Sequence, residues 1–157
     1  SNKNKKKTNV ASTEYTWPLQ LVWLKDEPDD PLDVKMPYSF MLVGPRKFYY
    51  LKFAEEREKK TWFEKIQKQI KANLTEENSD SSDDQKRYCY YKFPGKYDTE
   101  YEGWWLFGRL HGQGSFKIMS NVYKGDFEYD RKAGTGTFSS VSGEVYHGDW
   151  KEDRPSK

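Results

Sequence analysis

The sequence predicts a mainly β protein with one long α-helix, in which a partial antiparallel sheet and the helix precede an elongated strip of β-hairpins. A Tyr-x-Gly pattern recurs at spacings of 22 and 23 residues near the C-terminus, and strand-like alternation changes to helical spacing before it. In addition, 27 of the 157 residues are aromatic, whereas Leu, Ile, Val and Phe together number only 28. We therefore expect cores built largely from aromatic rings.

Composition and charge exclude several classes of protein. The 27 basic and 25 acidic side chains leave a net charge of +2, so we expect no nucleic-acid partner. The single cysteine, Cys89, excludes an internal disulfide. No apolar run approaches the roughly 18 residues of a membrane-spanning helix, and no signal peptide is recognisable. We expect a cytoplasmic protein and, because the chain begins with Ser rather than Met, a piece of a longer one.

Residues 1–14 are polar and rich in lysine, which predicts a flexible basic tail. One interpretation is a solvated tail without a partner. The other is a weak contact with acidic lipid, since each lysine near an anionic membrane contributes about 1 kcal/mol. The lysines concerned are Lys3, Lys5, Lys6 and Lys7.

Strand-like patterns follow the tail. Apolar residues alternate between residues 15 and 24, which predicts a strand with one buried face, and an Asp- and Pro-rich turn follows over residues 25–31. Two more strands are predicted over residues 38–43 and 48–53, and the short Gly-Pro-Arg-Lys connection predicts that they form an antiparallel hairpin. The alternating residues of the first strand are Leu19, Leu21 and Trp23.

A helix is predicted over residues 55–74, because its apolar residues follow helical spacing and most other positions are charged. Acidic residues lie in the first turn and lysines lie towards the end, which is the order that the helix dipole favours. The residues at helical spacing are Trp62, Phe63, Ile66 and Ile70, and we expect Trp62, Ile66 and Ile70 to form the core of the helix packing.

The next stretch is acidic. Residues 75–85 carry five acids, no base and no apolar residue. Because such a composition cannot contribute to a core, we predict a disordered linker over residues 75–86. Strand signals resume after it, with several tyrosines.

A repeat dominates residues 87–157. Residues 101–105 (Tyr-Glu-Gly-Trp-Trp) recur as residues 123–127 (Tyr-Lys-Gly-Asp-Phe) and as residues 146–150 (Tyr-His-Gly-Asp-Trp). A Gly-x-Gly pair begins eleven residues after each of the first two tyrosines. Each repeat therefore predicts a β-hairpin, with Gly108 at positive φ in the first turn. The repeat-defining residues are Tyr101, Gly103, Trp105, Gly108, His111, Gly112, Gly114, Tyr123, Gly125, Phe127, Gly134, Gly136, Tyr146, Gly148 and Trp150.

The glycines indicate how such hairpins could be stabilised. Glycines in one strand leave a flat trough that the rings of the other strand can cover, and this offsets the poor strand propensity of glycine. Since a single hairpin is only marginally stable, we expect the hairpins to stack into an elongated, twisted strip with a continuous aromatic layer.

The pattern Tyr-x-Gly-x-Trp-x-x-Gly-x-x-His-Gly-x-Gly, over residues 101–114, resembles a MORN repeat at every key position. The resemblance implies about two and a half repeats over residues 87–157. In the second repeat, Asp130 replaces the turn glycine and Ala133 replaces the histidine. Asp tolerates a left-handed backbone, so we expect this hairpin to form. The third repeat stops at Pro155, before its Gly-x-Gly strand.

Three strands followed by a helix with one Trp resemble the C-terminal half of a pleckstrin-homology domain, over residues 15–74. The resemblance implies that the helix closes one end of a bent antiparallel barrel and that Trp62 enters its core. The first four strands of that family, including the loop that usually holds inositol phosphates, have no counterpart in this sequence. Phosphoinositide binding therefore carries over to no residue here.

The order of these parts resembles that of alsin-like proteins, over roughly residues 15–155. These are large cytosolic guanine nucleotide exchange factors for endosomal Rab-type GTPases, and their exchange domain has no counterpart in this chain. The resemblance implies a non-catalytic scaffold that mediates self-association or partner docking, with a small GTPase as partner of the parent protein and a peripheral place on endosomal or other membranes. Two alternatives stay open: a peripheral membrane-targeting module, and a targeting appendage of a lipid kinase or a SET-type methyltransferase.

No residue pattern points to catalysis, a metal or a cofactor. His111 and His147 have one distant cysteine and no ligand spacing for a metal. The Gly-x-Gly pairs neither open a helix nor precede a Walker lysine. We therefore predict that this chain is not an enzyme, and that His111 and His147 hold structural positions in the repeats.

Two adjacent tryptophans offer a candidate contact. Trp104 and Trp105 follow each other in one predicted strand, so their rings lie on opposite faces. We expect Trp104 to be the more exposed ring and a contact for a partner. The alternative is that Trp104 packs on the N-terminal unit or on the linker.

Overall fold

The computed structural model describes residues 16–26 and 37–156. The predicted basic tail over residues 1–14 lies outside the described residues, as does most of the predicted turn over residues 25–31. The mainly β class is confirmed, since the described residues form two antiparallel sheets and one α-helix. The sheets do not close into a barrel within the described part of the chain.

The first sheet has three strands, β1 (Trp23–Lys25), β2 (Ser39–Gly44) and β3 (Lys47–Lys52), which lie in that order. β2 and β3 form the predicted hairpin, with Gly44 paired to Lys47 across a two-residue turn.

The prediction of a strand over residues 15–24 is wrong in its first part, because Leu19–Leu21 form a short 3-10 helix. Pro18 begins this turn, and its carbonyl oxygen accepts a hydrogen bond from the Leu21 amide at 2.9 Å. Leu21 and Trp23 are fully buried as expected, whereas Leu19 is 36% exposed. The turn rotates Leu19 away from the face that an extended chain would have buried.

The predicted helix is present as α1 (Glu56–Ala72) and packs against β1, β2 and the 3-10 helix. Ile70 is fully buried, Ile66 is half-buried, and the ring of Phe63 meets Phe40 of β2 edge to face at 5.2 Å. Lys59, one turn earlier on the same side, forms an ion pair with Asp26 at 2.6 Å. One side of the helix is thereby fixed on the first sheet.

The expectation that Trp62 enters the core is wrong, because its side chain is 48% exposed. Successive helical residues are separated by about 100°, and Phe63 occupies the side that faces β2. Trp62 is consequently rotated towards solvent, where Lys65 Nζ lies 5.6 Å from its ring centroid.

The acidic stretch is ordered, so the prediction of a disordered linker over residues 75–86 is wrong. Strand β4 (Ser79–Asp80) lies within it and pairs as a hairpin with β5 (Asp83–Lys92), which begins within it. Asn78 organises the entry to this hairpin: its side chain accepts the Thr75 amide at 2.7 Å and donates to the Asn73 carbonyl at 3.0 Å. Strand pairing satisfies the hydrogen bonds of backbone N–H and C=O groups and needs no apolar side chains. The composition of the stretch therefore does not predict this pairing.

The second sheet is an eight-stranded antiparallel meander in which every strand pairs with its neighbour in sequence. After β4 and β5, its strands are β6 (Thr99–Leu106), β7 (Arg109–Ile118), β8 (Asn121–Glu128), β9 (Arg131–Ser139), β10 (Val145–Lys151) and β11 (Arg154–Ser156). The two complete hairpins that the sequence predicts correspond to β6 with β7 and β8 with β9. The third repeat, which was expected to stop before its second strand, pairs β10 with the three-residue β11.

The two sheets share one hydrophobic core. Leu21, Trp23 and Val43 of the N-terminal part are buried in the same cluster as Tyr101 and Trp105 of the meander. The N-terminal unit and the hairpins are therefore packed together, not joined by a flexible connection as the linker prediction implied.

Candidate interaction surfaces of the hairpin sheet

A row of paired glycines crosses the hairpin sheet. Gly103 pairs with Gly114, and the register continues strand by strand through Gly125 and Gly136 to Gly148. These residues share one sheet face, and the row is the flat trough that the sequence predicts.

Tyrosine rings cover the glycine row. A Cβ at Gly114 would clash with the ring of Tyr101, and a Cβ at Gly136 would clash with the ring of Tyr123. Each hydroxyl then donates to a backbone carbonyl three residues later, from Tyr101 to Trp104 and from Tyr123 to Asp126, both at 2.9 Å. The ring therefore packs on glycine while its polar end remains hydrogen-bonded.

The burial of these tyrosines changes their acidity. Burial, followed by the charge of Asp126, raises the pKa of Tyr123 to about 12. Burial is also the main cause that raises the pKa of Tyr101. Both hydroxyls stay protonated at neutral pH and act as hydrogen-bond donors.

An aromatic ladder runs along the same face. Successive rings meet nearly edge to face with centroids 5.1 to 6.1 Å apart, a geometry in which each pair contributes about 0.5–1.5 kcal/mol beyond the burial of its area. Three of these contacts join rings of one strand, and the other three join rings of different strands, so the ladder links successive hairpins. In spatial order the rings are Tyr91, Trp105, Tyr101, Phe127, Tyr123, Trp150 and Tyr146.

The hairpin turns differ in what they contact. Asp130 occupies the turn position of the second hairpin with φ 72°, as the sequence predicts. Its Oδ1 accepts the Leu110 amide at 2.8 Å, and Asp153 in the third hairpin accepts the Lys132 amide in the same way. These aspartates tie each hairpin to the preceding one.

Gly108, at the corresponding position of the first hairpin, has φ 77°. It also lies against the N-terminal sheet, where a side chain would not fit. Any Cβ there would overlap the carbonyl oxygen of Gly44 in the N-terminal sheet. The Gly108 carbonyl in turn accepts the Arg46 amide at 3.0 Å. The glycine is therefore needed both for the turn and for the close approach of the two sheets.

The histidines have structural partners. Nδ1 of His111 accepts the Tyr129 amide at 3.2 Å, and the two rings lie 4.5 Å apart. His147 is exposed and lies 2.7 Å from the Thr137 hydroxyl. Burial and the charge of Lys86 lower the pKa of His111. Within residues 16–26 and 37–156, no three His, Cys, Asp or Glu side chains are grouped as metal ligands.

Arg87 joins the two sheets, a role that the sequence pattern does not predict. Its side chain is buried and donates to the carbonyl oxygens of Val22 and Gln20. The guanidinium lies 4.7 Å from the Trp23 ring, whose Nε1 donates to the Gln85 carbonyl at 2.7 Å. A lone arginine among the tyrosines of a strand was the only signal available in the sequence.

Trp104 and Trp105 lie on opposite faces, as predicted. Trp105 is fully buried, and its Nε1 donates to the Cys89 carbonyl at 3.0 Å. Trp104 is half-buried on the outer face, the sheet face opposite the aromatic ladder, and meets Tyr88 edge to face at 5.7 Å. A groove places Trp104 beside residues 74–76 and 79–81 of the acidic stretch. Trp104 is thus the more exposed of the two rings. It also adjoins the acidic stretch, which was predicted as a linker and on which the alternative interpretation packs this ring.

Tyr88, Tyr90 and Trp104 form an outer aromatic patch. Tyr90 is 51% exposed, and its hydroxyl donates to Glu100 at 2.7 Å. Burial, followed by the charge and hydrogen bonding of Glu102, raises the pKa of Tyr88. The patch combines flat rings with a carboxylate rim, which is a composition suited to protein contacts.

No family model matches the chain. Alsin from Homo sapiens and alsin from Pan troglodytes are each 24% identical to it over 163 aligned residues, which cover 91% of this chain. MORN repeat-containing protein 3 from Xenopus laevis is 36% identical over 76 residues, or 43% of this chain and 31% of that protein. The chain spans about a tenth of the length of the alsins and is loosely related to them and to a MORN-repeat protein.

No helix among the described residues is long and apolar enough to cross a membrane.

Proposed function

We propose that this chain is a non-catalytic scaffold segment of an alsin-like exchange factor for endosomal Rab-type GTPases. In this proposal it contains the end of a pleckstrin-homology-like unit and a strip of MORN repeats, and it mediates self-association or partner docking. The observation that carries the proposal is the shared core of the two sheets, which makes a stable platform. The similarity to alsins over 91% of the chain supports the choice of parent protein.

The division of the hairpin sheet into two faces supports a docking role. One face is occupied by its own aromatic ladder, in which Tyr101, Trp105 and Tyr123 are almost completely buried. The opposite face carries the outer aromatic patch. We propose Trp104 as the central contact of that patch, because large aromatic residues are enriched where protein surfaces meet.

Light scattering of the purified chain over a wide concentration range tests self-association. We expect a mass that rises above the 18.7 kDa of one chain as concentration increases. Trp104→Ala should shift this rise to higher concentration, whereas Phe48→Ala, which removes an exposed ring of the first sheet, should not. A mass of one chain at every concentration would exclude self-association, and unchanged association and partner binding in Trp104→Ala would exclude this contact.

The parent protein can be tested separately. An antibody against residues 87–157 should detect, in cells that express the protein, a species several times heavier than 18.7 kDa. Such a species should catalyse nucleotide exchange on an endosomal Rab-type GTPase. A native species of about the mass of this chain would contradict the assignment to an exchange factor.

Peripheral membrane association is a second candidate, favoured by the four lysines between residues 3 and 7. At about 1 kcal/mol for each lysine, they would give weak binding that salt abolishes. The test is co-sedimentation with phosphatidylserine-containing vesicles at low salt. Absence of the chain from the vesicle pellet would exclude this candidate.

A further inference from the structure

A cleft of about 290 Å³ opens where the two sheets meet. Residues 45–47, in the turn between β2 and β3, form one wall, and residues 93–97, in the loop between β5 and β6, form another. Trp17 and Tyr91 also line it. Because its walls come from both sheets, the cleft depends on their docking. We call it the junction cleft.

Rigid rings provide the apolar part of the junction cleft. Trp17 packs directly on Gly44 and lies 5.8 Å from the Tyr49 ring, so its position is fixed from outside the cleft. Phe93 meets Tyr91 edge to face at 5.0 Å. Tyr97 also lines the cleft, and its side chain is 54% exposed. Aromatic-lined grooves of this kind bind flat or prolyl side chains of extended peptides.

Cations surround these rings. Arg46 and Lys96 line the cleft, and none of the described residues that line it carries a carboxylate. The Arg46 guanidinium lies 4.4 Å from the centroid of Phe93, and a stacked guanidinium can still direct N–H donors from its edge towards an anion. Within the described ranges, no carboxylate forms an ion pair with Arg46 or Lys96, and Asp98 pairs with Lys92. The cleft is therefore a positively charged site with an apolar floor.

We propose that the junction cleft binds an acidic peptide segment of a partner protein, which inserts one aromatic or prolyl ring between the cations. This inference rests on the proposed docking function and names the chemistry of the partner. The cleft volume of about 290 Å³ suits one ring with its neighbouring groups. An anionic membrane fits less well, since a flat surface would leave the recessed rings uncovered.

Fluorescence anisotropy of a labelled Glu-Glu-Phe-Pro-Glu-Glu peptide, titrated with the full chain, tests the proposal. We expect saturable binding that weakens with salt, and about tenfold weaker binding by the double variant Arg46→Gln with Lys96→Gln, because two ion pairs are lost. The matched control replaces two exposed lysines on the hairpins, Lys124→Gln with Lys151→Gln, and should change binding by less than about twofold. The peptide Lys-Lys-Phe-Pro-Lys-Lys should not bind.

Thermal melting of each variant must accompany the titration, because the Arg46 amide helps to dock the two sheets. Lys96→Gln alone, in an exposed loop, provides a second variant that should fold normally and still weaken binding. Absence of peptide binding, equal binding of the lysine peptide, or undiminished binding by both variants would overturn the proposal. If the chain binds phosphatidylserine vesicles but not the peptide, and the double variant loses vesicle binding, the cleft is instead a membrane-binding site and the proposal is wrong.

The light-scattering experiment separates this inference from the proposed function. If the chain self-associates but does not bind the peptide, the junction cleft is wrongly assigned and the scaffold function stands. If the peptide binds while the chain stays at the mass of one copy, the cleft is supported and self-association is excluded.

Discussion

The hairpin sheet and the N-terminal unit bury aromatic residues in different ways. In the hairpin sheet, the rings of the ladder pack on rings of their own strand and of the next hairpin, and Trp105 is fully buried. In the N-terminal unit, Trp62 is 48% exposed and Phe48 is 56% exposed, while Leu21 and Trp23 pack into the core shared with the hairpins. A repeated unit can therefore complete its core with copies of itself, whereas the N-terminal unit depends on the adjoining sheet.

The largest difference should appear when one tryptophan is removed from each region. Trp105→Ala should lower the free energy of unfolding by about 3–5 kcal/mol, since it leaves a large cavity in the ladder. Trp62→Ala should cost less than about 1 kcal/mol, because its ring is largely solvated. Urea denaturation measures both values. Similar losses for the two variants would contradict the comparison.

A glycine substitution should be almost as damaging in the hairpin sheet. Gly114→Val would force the Tyr101 ring off the glycine row, and overpacking of this kind costs about 1–3 kcal/mol or more. Ser115→Val, one residue later and on the opposite face, is the control and should change the free energy of unfolding by less than about 1 kcal/mol. Denaturant unfolding followed by circular dichroism distinguishes them. Equal stability of the two variants would argue against ring-on-glycine packing.

Separating the two regions requires a change at their junction. Arg87→Met would leave the carbonyls of Val22 and Gln20 without this donor, at a cost of about 1–3 kcal/mol. Hydrogen exchange should accelerate at the amides of β1 and the 3-10 helix, while the amides of β8 and β9 stay protected. Lys92→Met, an exposed position on the same strand, is the control. Uniform acceleration in both sheets would show that the regions unfold as one unit.

The smallest effect concerns pH. Burial lowers the pKa of His111 in the folded protein below its ordinary value of 6.5, so the unfolded chain binds the proton more readily. The contribution of neutral His111 to the free energy of unfolding is complete above pH 6.5. It is lost as the pH falls from that value through the lowered pKa of the folded protein. Protonation of Nδ1 would also remove the acceptor for the Tyr129 amide.

Melting temperatures at about pH 7.5 and about pH 5.5 check this sign. The drop on acidification should be smaller in His111→Ala than in the unchanged chain. His147→Ala, at an exposed position, should keep the full drop. An unchanged pH dependence in His111→Ala would contradict the role given to the His111–Tyr129 hydrogen bond.

Local and repeated interactions were determined by the sequence alone. The tyrosines lie over the paired glycines, Asp130 adopts the left-handed turn, and Trp104 and Trp105 separate to opposite faces, all as the period of two and the 22-residue spacing predict. These contacts join residues that are close in sequence or stand in equivalent positions of adjacent repeats. The repeat pattern in the sequence is therefore sufficient to predict these contacts.

Tertiary structure alone decided how the two regions meet. The Arg87 and Trp23 hydrogen bonds span 62 to 67 residues, and nothing periodic links their partners. The same docking gives Gly108 its second requirement. The order of the acidic stretch likewise depends on backbone pairing that its composition does not encode, and the exposure of Trp62 depends on which side of α1 reaches β2. These features depend on contacts between segments that are distant in sequence. The local propensity of a residue does not indicate which distant segment it will contact.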